Sequence, residues 1–142
     1  MIKDIRHTGI VVADLETSLY FYRDLLGFQV ANQMEESGDY IDNISSLRNV
    51  KVATVKMTSP SGQMIELLKY HSHLAEQRMR EICEIGISHI AFTVDDLDIE
   101  YRTLKDKGIQ FNSPPQLSPD GYAKVTFCRA PEGTLIELVE VL

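Results

Sequence analysis

Residues 5–12, Ile-Arg-His-Thr-Gly-Ile-Val-Val, form a β-branched and apolar stretch that predicts a strand, stopped by Ala13 and Asp14. Beyond this point the apolar period changes: Leu15, Leu19, Tyr22, Leu25 and Leu26 recur at three- and four-residue steps, predicting one amphipathic helix. Asp14 suits its N-cap and Gly27 its left-handed stop. Strands are predicted over Phe28 to Met34, Val50 to Thr58 and Gln63 to Lys69, with a polar loop over 35–49. Ser59-Pro60-Ser61-Gly62 supplies the hairpin turn between the last two. The second half repeats the plan: strand Ser88 to Val94, helix Asp96 to Lys107 ending at Gly108, then strands Ile109 to Asn112, Ala123 to Arg129 and Thr134 to Val141. His73 to Glu84, rich in Glu, Arg and Met and ended by Gly86, predicts a helical linker.

The repetition extends to residue identity. Shifted by 82 positions, Ile5-Arg6-His7 through Leu15 meets Ile87-Ser88-His89 through Leu97, with Ile, His, Val, Asp and Leu coinciding. Shifted by 71, Pro60-Ser61-Gly62 through Leu68 meets Pro131-Glu132-Gly133 through Val139, with Pro, Gly, Ile, Glu and Leu coinciding. Two matches in the same order indicate a duplicated βαβββ module rather than a short solenoid unit. The expected organisation is one α+β domain over 1–142: module 1 over about 4–70, a linker over about 71–86 and module 2 over about 87–142.

Composition narrows the class of partner. The chain has 142 residues, 44% hydrophobic and 25% charged, which suits a globular domain with a sizeable core. Lys plus Arg number 14 against 21 Asp plus Glu, for a net charge of -7, and no basic block exceeds two residues. Nucleic acid is therefore not an expected partner. No apolar run approaches the roughly 20 residues that span a bilayer, so no membrane association is expected. The charged amino terminus is unlike a secretory signal, so the expected location is the cytoplasm. Cys83 and Cys128 lack metal-knuckle or redox spacing and are read as inert thiols packed as small hydrophobes.

Chemistry enters with four residues at equivalent places. His7 and His89 each lie within an apolar strand, and Glu66 and Glu137 each lie within Ile-Glu-Leu. Taken singly, a strand histidine is ordinarily a hydrogen-bonded core or edge residue, and a glutamate in a terminal strand ordinarily faces solvent. Duplication changes that balance, because a carboxylate among Met64, Leu68 and similar neighbours is costly to desolvate and a divalent cation removes the cost. Two neutral imidazoles and two carboxylates form an N/O set suited to Zn, Ni, Co, Mn or Fe, one ion per chain, with coordination positions left for a small-molecule substrate. Other polar residues rank lower: His71 and His73 read as surface residues. Tyr40 and Asp42 fall in the long loop, which either covers a substrate or is plain surface. Lys124 and Arg129 must lie on opposite faces of their strand, so at most one meets the substrate.

These residues carry a resemblance. His7-Thr8-Gly9-Ile10-Val11-Val12-Ala13-Asp14-Leu15, Ser18-Leu19-Tyr20-Phe21-Tyr22-Arg23-Asp24-Leu25-Leu26-Gly27-Phe28, Ile65-Glu66-Leu67, His89 through Leu97 and Pro131 through Leu138 resemble the vicinal oxygen chelate superfamily. Its members include glyoxalase I, methylmalonyl-CoA epimerase, extradiol dioxygenases and the fosfomycin and bleomycin resistance proteins. The resemblance implies paired βαβββ modules forming a cupped mixed sheet around a metal held by His7, Glu66, His89 and Glu137. It implies a homodimer, and a glyoxalase-like lyase or isomerase/epimerase working through a metal-stabilised enediolate on a small oxygenated metabolite. Glu137 and Glu66 are then the catalytic base and acid. Two other activities stay open: an Fe(II)-dependent dioxygenase and a non-catalytic small-molecule binding or resistance protein. The positions at which glyoxalase I presents Arg and Asn to glutathione are Val11 and Tyr70 here, and valine cannot pair with a carboxylate.

Overall fold

A computed structural model describes all residues, 1–142, and divides into two compact units, Met1–Gln77 and Arg78–Leu142. The first unit contains β1 (Thr8–Val11), α1 (Leu15–Leu19), β2 (Gln29–Ser37), α2 (Asp39–Ser45), β3 (Lys51–Thr58) and β4 (Met64–Tyr70). The second contains β5 (His89–Thr93), α3 (Leu97–Asp106), β6 (Gln116–Leu117), β7 (Ala123–Arg129) and β8 (Leu135–Val141). Each unit has a four-stranded mixed sheet, in the orders β1-β4-β3-β2 and β5-β8-β7-β6. The first strand pairs parallel with the last in each, and the remaining pairs are antiparallel. The α+β class and the duplicated module plan are thus as the sequence predicts.

Helix starts follow the capping expectation. Asp14 accepts from the Thr17 amide at 2.7 Å and Asp96 from the Ile99 amide at 2.9 Å, each satisfying an amide that the first turn leaves unpaired. The predicted single helix after Asp14 continues from α1 as a π-helical turn over Tyr20–Leu25, closed by the Leu26 amide on the Phe21 carbonyl at 3.0 Å. The wider turn lets Phe21 and Tyr22 both be buried, an outcome that strict three-and-four spacing does not anticipate. Helix α1 packs on β4 and α3 on β8. One face of each sheet supplies the core beneath: Val55, Met57, Ile65 and Leu67 in the first unit, Cys128, Ile136 and Leu138 in the second. A fully buried leucine such as Leu67 contributes about 1.5–3 kcal/mol of transfer free energy.

Several expectations are corrected. The region 35–49 is not simply a loop: β2 runs to Ser37, and α2 follows with Ile41 buried against Val50 and Val52. The linker 73–84 forms no helix. Leu74, Met79 and Ile82 are exposed there, so no packed apolar face supports a helix too short to persist alone. Arg78 and Arg80 instead bind Glu84, and Arg80 also donates to the carbonyls of Ile85 and Ile87. The predicted strand Ile109 to Asn112 is reduced to a single bridge, Phe111 to Cys128, and the ladder resumes at β6 only after Pro114 and Pro115, which have no amide to donate. His7 lies just before β1 rather than inside it. Cys128 is buried as expected, and burial pushes its thiol up to about 12. Cys83 is exposed, not packed.

Candidate metal-binding site

The register of the sheets decides which side chains meet. In the first unit Gly9 pairs with Glu66, and His7, two residues before Gly9, shares its face. His7 Nε2 lies 3.0 Å from Glu66 Oε2, with the side chains 30% and 13% exposed. In the second unit Ala91 pairs with Glu137, and His89 lies on the same face. His89 Nε2 lies 3.1 Å from Glu137 Oε2, the side chains 34% and 22% exposed. All four residues singled out from the sequence therefore stand in two equivalent His–Glu pairs. The grouping stops at two within each unit, and no cluster of three or more His, Cys, Asp or Glu side chains forms.

These edges fit a cation. Donors about 2.1 Å from a divalent ion, at a right angle to one another, lie about 3 Å apart. The same separation suits a hydrogen bond, so the protonation of each imidazole matters. Ser88 Oγ donates to the Ile82 carbonyl at 2.9 Å, which uses its only proton. Its 3.1 Å contact with His89 Nδ1 must then be accepted from an Nδ1–H. A neutral His89 thus presents a bare Nε2 lone pair to a carboxylate oxygen, an arrangement that only a cation, whether proton or metal, makes favourable. Histidines that ligate metals are oriented through the other ring nitrogen in this way. The Phe127 ring meets His89 edge-on at 5.2 Å and fixes its plane further.

His7 is held differently. Its Nδ1 is buried with no hydrogen-bond partner. Ligation through Nε2 would place a proton on that nitrogen and leave it unsatisfied, at a cost of about 1–3 kcal/mol. The second unit's pair is therefore the better prepared to accept a metal. Ser88 was not among the residues the sequence singled out, although the Ser-His dipeptide was its only available signal. Phe127 also went unnoticed, although the 71-residue shift, extended backwards from Pro60, sets it against Lys56.

The lower-ranked residues are accounted for. His71 pairs with Glu35 at 3.2 Å, both exposed, and His73 Nδ1 contacts Ser72 Oγ at 2.9 Å. Tyr40 is exposed, whereas Asp42 accepts the amides of Asn49 and Val50 at 2.8 and 2.9 Å and so ties α2 to β3. Lys124 and Arg129 do lie on opposite faces, paired with Glu140 and Leu135. Lys124 Nζ is 2.8 Å from Asp98, whose hydrogen bond holds the ammonium above its ordinary range. Arg129 donates to the carbonyls of Gly133 and Arg80.

Two four-stranded βαβββ units, each presenting one His–Glu edge, define a duplicated-module protein of the glyoxalase type. The family model for the Glyoxalase/Bleomycin resistance protein/Dioxygenase superfamily matches residues 4–138, and the chain belongs to that superfamily. A protein of Bacillus subtilis, YwkD, is 30% identical, over 99% of this chain and 98% of its own length. A probable lactoylglutathione lyase of Synechocystis is 27% identical, over 94% of this chain and 92% of its own length. In fold the chain is similar to a glyoxalase family protein from Bacillus cereus, with a TM-score of 0.90 at 23% identity over 100% of this chain and 96% of that one.

Proposed function

We propose that this chain is a metal-dependent lyase or isomerase acting on a small oxygenated metabolite. The observation that carries the reading is the pair of equivalent Nε2–Oε2 edges of 3.0 and 3.1 Å, one in each unit. His7, Glu66, His89 and Glu137 would hold one divalent ion per chain, drawn from Zn, Ni, Co, Mn or Fe; each edge supplies two donors, and a four-donor shell takes two edges, from one chain or from the two chains of a homodimer. When bound, the ion supplies Lewis acidity that acidifies the C–H beside two adjacent substrate oxygens. The histidines hold position: Ser88 fixes the His89 tautomer, leaving its Nε2 free to ligate. Glu137 and Glu66 move the proton, one removing it and the other returning it. A glutathione adduct is unsupported as the substrate, because an exposed valine, Val11, stands where glyoxalase I presents an arginine to glutathione.

The test is elemental analysis of the purified protein, native and with His7 and Glu137 each changed to alanine. The expected result is about one divalent ion per chain, lost in both variants. No metal after reconstitution with each of these ions would leave a small-molecule binding protein as the reading. With metal in place, oxygen uptake on catechols would identify a dioxygenase instead.

A further inference from the structure

The two His–Glu edges have different neighbours. Strand β3 places Lys56 directly opposite Glu66, and β7 places Phe127 directly opposite Glu137. Directly paired residues share a face, so Lys56 stands beside the His7–Glu66 edge, with Asn32 of β2 on its other side. The partners on this face of β3 and β4 are Val52 with Tyr70, Thr54 with Leu68 and Thr58 with Met64, so Lys56 is the only lysine or arginine among them. It is half-buried. Glu66 gives its short contact to His7, and Lys56 enters no ion pair, in a chain with 21 acidic residues. With the Glu66 carboxylate engaged by His7, the half-buried ammonium keeps hydrogen-bond donors and charge to offer a further anion. The ladder does not require a lysine at this place, since the second unit has an aromatic ring there.

We propose that Lys56 is a specificity-determining residue whose ammonium binds a carboxylate of the substrate, one separate from the two oxygens that chelate the metal. The substrate is then an anion, with its charged end beside the His7–Glu66 edge of the first unit. This rests on the metal-dependent reading above.

The test is calorimetric binding of two metal-chelating probes to the zinc-loaded full chain: acetohydroxamate, which lacks a carboxylate, and succinic monohydroxamate, which carries one. The expected result is that the native protein prefers the carboxylated probe by about tenfold or more, the increment of one charge-assisted hydrogen bond. Lys56→Met should bind both probes alike with unchanged zinc content and melting temperature, and Lys56→Arg should keep the preference. Equal binding of the two probes by the native protein overturns the role of Lys56 while leaving the metal reading intact. Absence of zinc and of any hydroxamate binding overturns the metal reading, and this proposal with it. Should Lys56→Met fail to fold, the native preference and its retention in Lys56→Arg still decide.

Discussion

His7 and His89 occupy equivalent places in the two units, yet only His89 has its second ring nitrogen held, by Ser88, and its ring plane backed by Phe127. His7 keeps a buried, unpartnered Nδ1, and its glutamate faces a lysine across the ladder. Duplication thus supplied two copies of a His–Glu pair, and the two copies differ in what surrounds each pair rather than in the pair itself. In the second unit both ring nitrogens of the histidine have a partner. In the first, a lysine stands beside the pair instead.

The largest expected effect separates the glutamates from the rest of either unit. Glu137→Gln and Glu66→Gln should each lower turnover by about 10²–10⁴-fold with metal retained, the range for a lost general acid or base. A metal-replete Gln variant with full activity in steady-state assays removes that residue from the proton transfer. Next come the cores. Leu104→Ala in the second unit and Leu67→Ala in the first, both fully buried, should each cost about 2–5 kcal/mol in urea unfolding followed by circular dichroism. Ser88→Ala bears most directly on the contrast between the histidines: metal affinity should fall by about 10–100-fold in competition with a chromogenic chelator. An unchanged affinity would mean that the Nδ1 contact does not prepare His89. The smallest effect lies at the helix start of the first unit. Hydrogen bonds from the Thr17 hydroxyl and amide hold the Asp14 carboxyl below its ordinary value of 3.8. A depressed folded value means that Asp14 stabilises above 3.8 and that this contribution disappears as pH falls through the folded value. Asp14→Ala should therefore lower the melting temperature slightly at neutral pH and leave it unchanged at the acid end of a pH series.

Much of this arrangement was legible in the sequence because it depends on local rules and on repetition. Asp14 and Asp96 announce helix starts by residue type, and the shared Ile-Glu-Leu segments place both glutamates on final strands. The pairing of each histidine with the glutamate of its own unit follows once first and last strands are neighbours. What escaped depends on contacts between distant positions. Helix α2 is fixed by Ile41 packing on Val50 and Val52 and by Asp42 capturing two amides, none of which shows in a polar stretch. The 73–84 segment has helix-forming residues but no surface to bury its apolar side chains, and propensity alone does not hold it. Lys56 and Phe127 acquire meaning only from the register that sets them opposite the two glutamates.

The parallel pairing of first with last strand also sets an order of events during synthesis. Strand β1 has no hydrogen-bonded neighbour except β4, so its residues leave the ribosome long before their partners Ile65 to Leu68 exist. The hairpin of β3 and β4 pairs residues close in sequence and can zip first, whereas closure of β1 onto it is the long-range step. His7 meets Glu66 only in that step, and His89 meets Glu137 only in its counterpart. A ribosome-bound nascent chain halted before Glu66 emerges would hold His7 without its carboxylate, and each His–Glu pair is completed only when the last strand of its unit emerges.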